Sequence, residues 1–191
     1  MIPGRKITGK VNSEQKMERF IIQTEKFKTQ PTSLFDDQWL LLTCGDFATG
    51  NFNCMTISWG SLGTIWNRPF AQVVVRPQRF TFEFMERYDN FSLCAFPVEY
   101  RPALNLLGSK SGRDSQKMKE SGLTPCSASI ISSPIYQEAE LAIECRKIYW
   151  QDLTPAHFLD STIARNYPQS DYHRVYFGEI LTVSGTAAFS E

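Results

Sequence analysis

The chain has 191 residues, 42% of them hydrophobic and 13% aromatic, with 14 Phe; that suits one sizeable, aromatic-rich core and a single domain. Twenty Lys plus Arg balance twenty Asp plus Glu for a formal net charge of zero, which excludes a bulk electrostatic pull toward nucleic acid or anionic lipid and permits self-association. Five widely spaced cysteines with no CxxC, and only two histidines, argue against a Cys/His zinc site and for buried thiols in a reducing cytosol.

Met1 to Lys6 lacks the apolar run of a signal peptide, and no window approaches the roughly 20 apolar residues of a membrane span. The expectation is a soluble, cytoplasmic protein. Residues 1–38 carry mixed signals. Met17, Phe20 and Ile21 are spaced for one helix face while Ile22 and Phe27 break the pattern, so a short helix and then an extended arm are expected. Residues 1–30 are taken as an N-terminal arm of a single domain spanning 1–191, and Pro31-Thr32-Ser33 as a turn.

Trp39 to Cys44 is a short apolar run, the length of a buried strand, and Asp46 to Asn53 reads as a loop. Met55 to Trp59 reads as a second strand, Gly60 to Gly63 as a turn, and Asn67-Arg68-Pro69 as a turn into Phe70–Val75, the strongest strand signal in the chain. Pro77 stops that strand. Thr81 to Glu86 then reads as a helix burying Phe80, Phe84 and Tyr88, with Glu83 suited to the positive end of its dipole. Phe91 to Phe96 is a strand stopped by Pro97. Pro102 opens a short helix carrying Leu104, Leu106 and Leu107, closed by Gly108, and Ser111 to Gly122 holds another with Asp114 or Ser115 as cap. Residues 123–140 read as loop with short extended pieces. Leu141, Ile143 and Cys145 mark a half-buried strand, Thr154-Pro155 a helix start, Asn166 to Asp171 a polar loop, and Val175 to Val183 a last long strand that Gly185 to Phe189 can extend. Several short strands with short helices between them give a mainly β protein, a closed or partly closed barrel with helical insertions.

Three segments carry chemistry. In Arg76-Pro77-Gln78-Arg79-Phe80-Thr81, two arginines and a threonine sit between a strand end and a helix N-terminus, where free N–H groups and planar guanidinium forks seat a phosphate; the same residues also read as solvated arginines flanking a turn, with Thr81 a helix cap. In Ser111-Gly112-Arg113-Asp114, a Gly beside Ser at a helix start can form an amide nest for an anion that Lys117 also reaches, or a capped surface helix with its charges in water. Met55 to Trp59 alternates, so Thr56 and Ser58 share one face and can meet a bound ring, or the segment is an ordinary two-faced strand. His173 can polarise a substrate or a reduced cofactor, or be a structural hydrogen-bonder; His157 reads as structural. No Ser is framed as GxSxG.

In combination, these segments resemble the flavin reductase-like family of FMN-binding split barrels, flavoredoxin type. The resemblance rests on Asn53, Met55-Thr56-Ile57-Ser58-Trp59-Gly60, Arg76-Pro77 with Arg79-Phe80-Thr81, and Ser111-Gly112-Arg113-Asp114 with Lys117, and extends from about Pro31 to the last strand. It implies a six-stranded antiparallel split barrel that dimerises with FMN near the interface. It further implies that Arg79, Thr81, Ser111 and Lys117 hold the FMN phosphate, helped by Arg76 and the Gly112 amide. Asn53 and Met55 to Trp59 would run along the ring and ribityl chain, Phe80, Phe96 and Pro97 would lie near the cofactor, and His173 would face the nicotinamide side. Cys54 stands where relatives have an aliphatic residue and reads as a core substitution.

The implied activity is NAD(P)H:flavin oxidoreduction, from NADH or NADPH through FMN to free flavin or another acceptor, a protein included. Two other readings stand beside it: an FMN electron carrier with no nicotinamide site of its own, and a non-catalytic barrel that binds another phosphorylated ligand.

Overall fold

Which faces of a strand are covered decides the layers of this molecule. The structure, a computed structural model, describes residues 17–113 and 116–191. It begins with a three-residue strand β1 (Phe20–Ile22), then a helical turn α1 (Pro31–Ser33) that runs directly into a π-helical turn at Leu34–Gln38. Strands β2 (Leu40–Asp46), β3 (Asn51–Ile57), β4 (Gly60–Ile65) and β5 (Arg68–Val75) follow, then helix α2 (Phe80–Arg87), β6 (Asn90–Ala95), helix α3 (Arg101–Ser109) and helix α4 (Lys117–Ser121). The short pair β7 (Pro125–Cys126) and β8 (Ile135–Tyr136) precedes two long strands, β9 (Leu141–Asp152) and β10 (Arg174–Gly185).

The main sheet is antiparallel in every pairing, in the order β3-β2-β6-β9-β10-β5-β4. This is the mainly β split-barrel architecture expected of the sequence. Strand β10 is long enough to serve two partners on one side: β5 pairs with Arg174 to Glu179, and β1 with Val183 to Gly185. Register shifts against β9 at Phe177/Gly178 and at Ile180/Thr182 bend it between the two.

Both faces of the central strands are buried, which explains the unbroken apolar runs. From β2, Leu40, Leu42 and Cys44 enter the barrel core with Met55, Ile57, Val73, Val75, Phe91, Leu93, Ile143 and Tyr176, and α2 closes that core with Phe84 and Met85. Leu41 points the other way, into a second cluster with Cys54, Cys94, Ala142 and Tyr136, covered by Ala103, Leu104 and Leu107 of α3. Each such Leu stabilises the fold by roughly 1.5–3 kcal/mol on burial. The same layering corrects the reading of β9 as half-buried: Leu141 to Cys145 are all buried, because the 123–139 segment covers the second face. Glu144 is 1% exposed, and its carboxylate accepts the N–H groups of Ser129 (2.8 Å), Ile130 (2.8 Å) and Ile131 (3.3 Å). That satisfies the charge and pins the segment down.

Other local expectations are also revised. Met17, Phe20 and Ile21 do not share a helix face: Phe20–Ile22 is a strand, because β10 offers an open edge and Ile22 fills the core end there. Phe20–Ile22 pair with β10, Met17 and Arg19 bond to carbonyls of the 136–139 segment, and Phe27 bridges to Ser190; the rest of the expected arm, residues 1–16, lies outside the described residues. Gly60 to Gly63 is strand β4, paired along β5, and not a turn. A Cβ on Gly60 would stand 2.4 Å from the Phe35 ring and 2.5 Å from the Gln72 carbonyl oxygen, so that glycine permits close packing. The turn falls at Trp66 and Asn67, both with positive φ (51° and 59°), the hairpin geometry that matches strand twist. Gly108 lies within α3, which continues to Ser109. Asp114 and Ser115, the expected caps of α4, lie outside the described residues, and Pro155 opens only a 3₁₀ turn to His157. Beyond Gly185 the chain forms a 3₁₀ turn at Ala187–Phe189 and no further strand.

Trp39 connects the π-helical turn to β2 with φ 64° and ψ 154°. That region is essentially reserved for glycine, and holding a side chain there costs about 1–3 kcal/mol. Among the described residues, no helix is long and apolar enough to cross a membrane. Cys44, Cys54, Cys94 and Cys145 are free and buried. Burial pushes the Cys54 thiol up to about 11 and those of Cys44 and Cys94 to about 12, which keeps them protonated at neutral pH.

Candidate functional site

Three hollows meet where β3, an edge strand, runs out. The first, about 140 Å³, lies between β3, the N-terminus of α2 and the 109–112 turn. Asn53, Met55, Arg79, Phe80, Thr81, Ser111, Gly112 and Lys117 line it, all anticipated from the sequence, with Gln78, Ser109 and Lys110 added. Asn53 and Thr81 are buried, and the Asn53 amide donates to the Thr81 hydroxyl at 2.8 Å. Thr81 lies in the first turn of α2 and is not its cap; the cap position is Arg79, whose side chain makes no capping bond. The first-turn amides of α2 lie at its positive end, that of Phe82 donating to the Arg79 carbonyl at 2.9 Å.

Two cations complete this hollow. Lys117 is only 4% exposed, and its ammonium donates to the carbonyls of Cys54 (2.6 Å), Leu107 (3.3 Å) and Lys110 (3.3 Å). The Arg79 guanidinium donates to the Gly108 carbonyl. Among the described residues, no carboxylate forms an ion pair with either. Both are held below their ordinary pKa by burial first; Arg76 lowers Arg79 further, and at Lys117 Cys54 opposes the shift while Arg79 adds to it. An anion here would relieve the repulsion of two partly desolvated positive charges. Gly112 is needed for the shape. A Cβ there would meet Asn53 Oδ1 at 2.4 Å and the Phe80 ring at 3.1 Å. A pocket with two cations that make no ion pair among the described residues, first-turn amides and a glycine cradle fits a phosphate group. Arg113 is drawn away from it, paired with Glu83, donating to the Gln78 carbonyl and lying 5.0 Å from the Phe80 ring centroid.

The second hollow, about 190 Å³, shares Met55 with the first and is lined by Thr56, Ile57, Ser58, Trp59, Val74, Arg76 and His173. Its polar wall is built from the chain's own groups. Arg76 forms an ion pair with Asp171 at 2.6 Å, donates to the Asn166 carbonyl at 2.8 Å and sits over the Tyr167 ring. The expectation that Arg76 assists the phosphate is therefore not what the geometry shows: Asp171 holds it on this side. His173 is 8% exposed, with Nδ1 2.8 Å from the Tyr167 hydroxyl and its ring tilted against Trp59 at 5.3 Å. Burial, reinforced by Arg76 and opposed by Asp171, holds its pKa down to about 4, so the imidazole is neutral at pH 7.

The third hollow, about 290 Å³, opens on the α3 side of the same strand end and is lined by Trp39, Thr56, Ile57, Ser58, Leu104, Asn105, Gly108 and Ser109. The Thr56 hydroxyl is already committed, donating to the Leu104 carbonyl at 2.5 Å. Phe96 and Pro97 are not brought to these hollows. They line a separate one with Asp37, Gln38, Val98, Arg101 and Leu104, and the Phe96 ring is buried between Tyr100 and Tyr136. Sequence reasoning missed Trp39 and Asn105, which lie in segments read only as strand start and helix, and Ser109, which falls just past the Gly108 read as that helix's end. It also missed Tyr167 and Asp171, in a stretch read only as polar loop, where an acid two residues before a histidine was the available signal.

Among curated proteins, no sequence matches this chain. Solved structures do. The FMN-binding domain of a flavin reductases-like enzyme from Shewanella baltica OS155 superposes with a TM-score of 0.65 at 16% identity, over 90% of this chain and 79% of that one. Flavoredoxin of Desulfovibrio vulgaris (Miyazaki F) gives 0.61 at 19% identity, over 81% and 73%. The NADH:FAD oxidoreductase of Streptomyces globisporus C-1027 gives 0.59 at 13%, over 80% and 81%. Identities this low speak for the shared fold. Residues 33–186 match the sequence pattern of the flavin reductase like domain, a span that holds all three hollows, and the chain belongs to that family.

Proposed function

We propose that this protein binds FMN and acts as an NAD(P)H-dependent flavin reductase, passing electrons from NADH or NADPH to free flavin or another acceptor. The observation that carries the reading is the pairing of Arg79 with Lys117 in one hollow, with no ion pair to a carboxylate for either among the described residues. In this reading Arg79, Lys117, Ser111 and the Thr81 hydroxyl hold the phosphate, with the Gly112 amide beside them and Asn53 orienting Thr81. Backbone and side-chain groups from Met55 to Trp59 meet the ring. When bound, the flavin supplies the redox chemistry, as a hydride acceptor and electron donor. The chain's own work is positional: it fixes the phosphate, shields the ring with Trp59, and presents a neutral His173 held in orientation by Tyr167. A neutral imidazole on the nicotinamide side adds no positive charge against an oxidised pyridinium ring.

The carrier reading has one observation in its favour. Arg76, the cation nearest the His173 hollow, is bound to Asp171 and is not offered to a dinucleotide. The visible spectrum of the purified protein separates the readings. We expect a flavin spectrum with FMN, bleached anaerobically by NADH or NADPH. FMN bound but unbleached by either supports the carrier, and no FMN binding at micromolar protein refutes both in favour of another phosphorylated ligand.

We also propose a homodimer in the cytoplasm. The outer face of β4, β5, β9 and β10 carries a contiguous aromatic set, in which Phe70 stacks on Phe177, Tyr149 meets Phe177 and Trp66 meets Tyr149. Trp66 and Tyr149 are 57% and 43% exposed, a patch that a second copy would cover. The free thiols of Cys44, Cys54, Cys94 and Cys145 agree with a reducing compartment. A monomeric mass in solution with full FMN retention would refute the dimer.

A further inference from the structure

We infer that Trp39 is a specificity-determining residue for the planar end of the ligand whose phosphate sits at Arg79 and Lys117, and that the hollow it walls is the seat of that ring. The inference rests on the reading of the ligand as a flavin, and it adds the α3 side of the strand end to the ring contacts which that reading draws from Met55 to Trp59. The hollow shares Ser109 with the anion pocket, and Thr56, Ile57 and Ser58 with the His173 hollow, so it adjoins both. It is the roomiest of the three, at about 290 Å³. Its walls have the character of a ring site, with an indole, Leu104 and Gly108, and with Ser58 and Asn105 to meet a polar ring edge.

The backbone holds the indole in place at a cost. Trp39 takes a conformation that glycine adopts freely and a bulky residue does not, directly after a π-helical turn, a device that recurs at functional sites. A clamp enforces it. The Arg101 guanidinium lies 3.5 Å from the indole centroid and also donates to the carbonyls of Asp37 and Gln38 (3.1 Å for Gln38), while the Gln38 amide donates to the Phe96 carbonyl and to Glu140. The indole is half-buried and belongs to neither buried core cluster; it only packs against the second. A strained, clamped aromatic that the core does not require is a preorganised wall for a ligand.

The test compares three probes, FMN, riboflavin (the ring without the phosphate) and inorganic phosphate, on folded full-length protein. Trp39→Gly removes the ring at a φ that glycine tolerates, so the backbone is relieved. We expect about a tenfold loss of affinity for FMN and riboflavin alike, with phosphate binding unchanged, and Trp39→Phe within about threefold of wild type. Asn105→Phe, at an exposed helix position, fills the hollow without touching the core and should reproduce the loss even if Trp39→Gly folds poorly. Wild-type affinity for riboflavin in Asn105→Phe, or a loss of phosphate binding in parallel with the flavins in a folded Trp39→Gly protein, overturns the inference. Wild-type protein that binds phosphate but neither flavin overturns the reading beneath it, before any variant is made.

Discussion

The anion pocket and the His173 hollow sit side by side along β3, share Met55, and treat positive charge in opposite ways. In the first, Arg79 and Lys117 face each other with backbone carbonyls as their partners. In the second, Arg76 has a carboxylate, a carbonyl and an aromatic ring. A desolvated cation without a counter-charge is a standing cost that a ligand can remove, whereas a paired one is part of the scaffold. Counting arginines in the sequence cannot tell these apart; the position of Asp171 does.

The sharpest way to break the contrast is Lys117→Met. It leaves three buried carbonyls without their donor, and we expect a loss of about 3 kcal/mol in urea unfolding together with loss of FMN binding. A stable variant with wild-type affinity would mean that the ammonium serves neither role. Arg79→Ala should weaken FMN by roughly 1.5–3 kcal/mol in a calorimetric titration, with riboflavin affinity and apo stability little changed, because its one structural bond is to the Gly108 carbonyl. An unchanged dissociation constant would move the phosphate elsewhere.

The neighbouring hollow predicts a pH effect instead. His173 is held down to about 4 from an ordinary 6.5. The unfolded chain therefore binds this proton more readily, and native stability falls as pH drops from about 6.5 toward 4. His173→Gln should flatten that part of the profile by about 2 kcal/mol, and parallel profiles for the two proteins would contradict the assignment. The smallest effect is expected for Arg76→Gln, less than about 0.5 kcal/mol on FMN binding. A loss comparable to that of Arg79→Ala would erase the distinction between the two hollows.

Much of the anion pocket was legible because its parts are local. Arg79, Thr81 and Lys117 stand at helix starts and Ser111 and Gly112 in the turn after α3, where residue type and position announce their chemistry. The barrel strands were legible for the same kind of reason, as runs of apolar residues between turn signals. What stayed hidden depends on distant partners. β1 is a strand only because β10 extends past β5, and Gly60 reads as a turn until Phe35 is known to lie against it. Arg76 looked like a second phosphate ligand because Asp171 lies 95 residues further on. Trp39 reads as the first residue of a strand, and only its backbone angles mark it as unusual.

Glu144 has a consequence for motion. Ile130 is 61% exposed, and a loop residue of that kind ordinarily exchanges its amide proton with solvent almost at once. Here that proton, with those of Ser129 and Ile131, is bonded to a carboxylate rooted in a buried strand. These three amides should therefore exchange in deuterated water at the pace of the layer beneath them, hundreds of times more slowly than their exposure suggests. The loop would then be a surface feature that opens only when the barrel's second face does, and Glu144→Ala should return it to the solvent's timescale while the amides of β10 keep their protection.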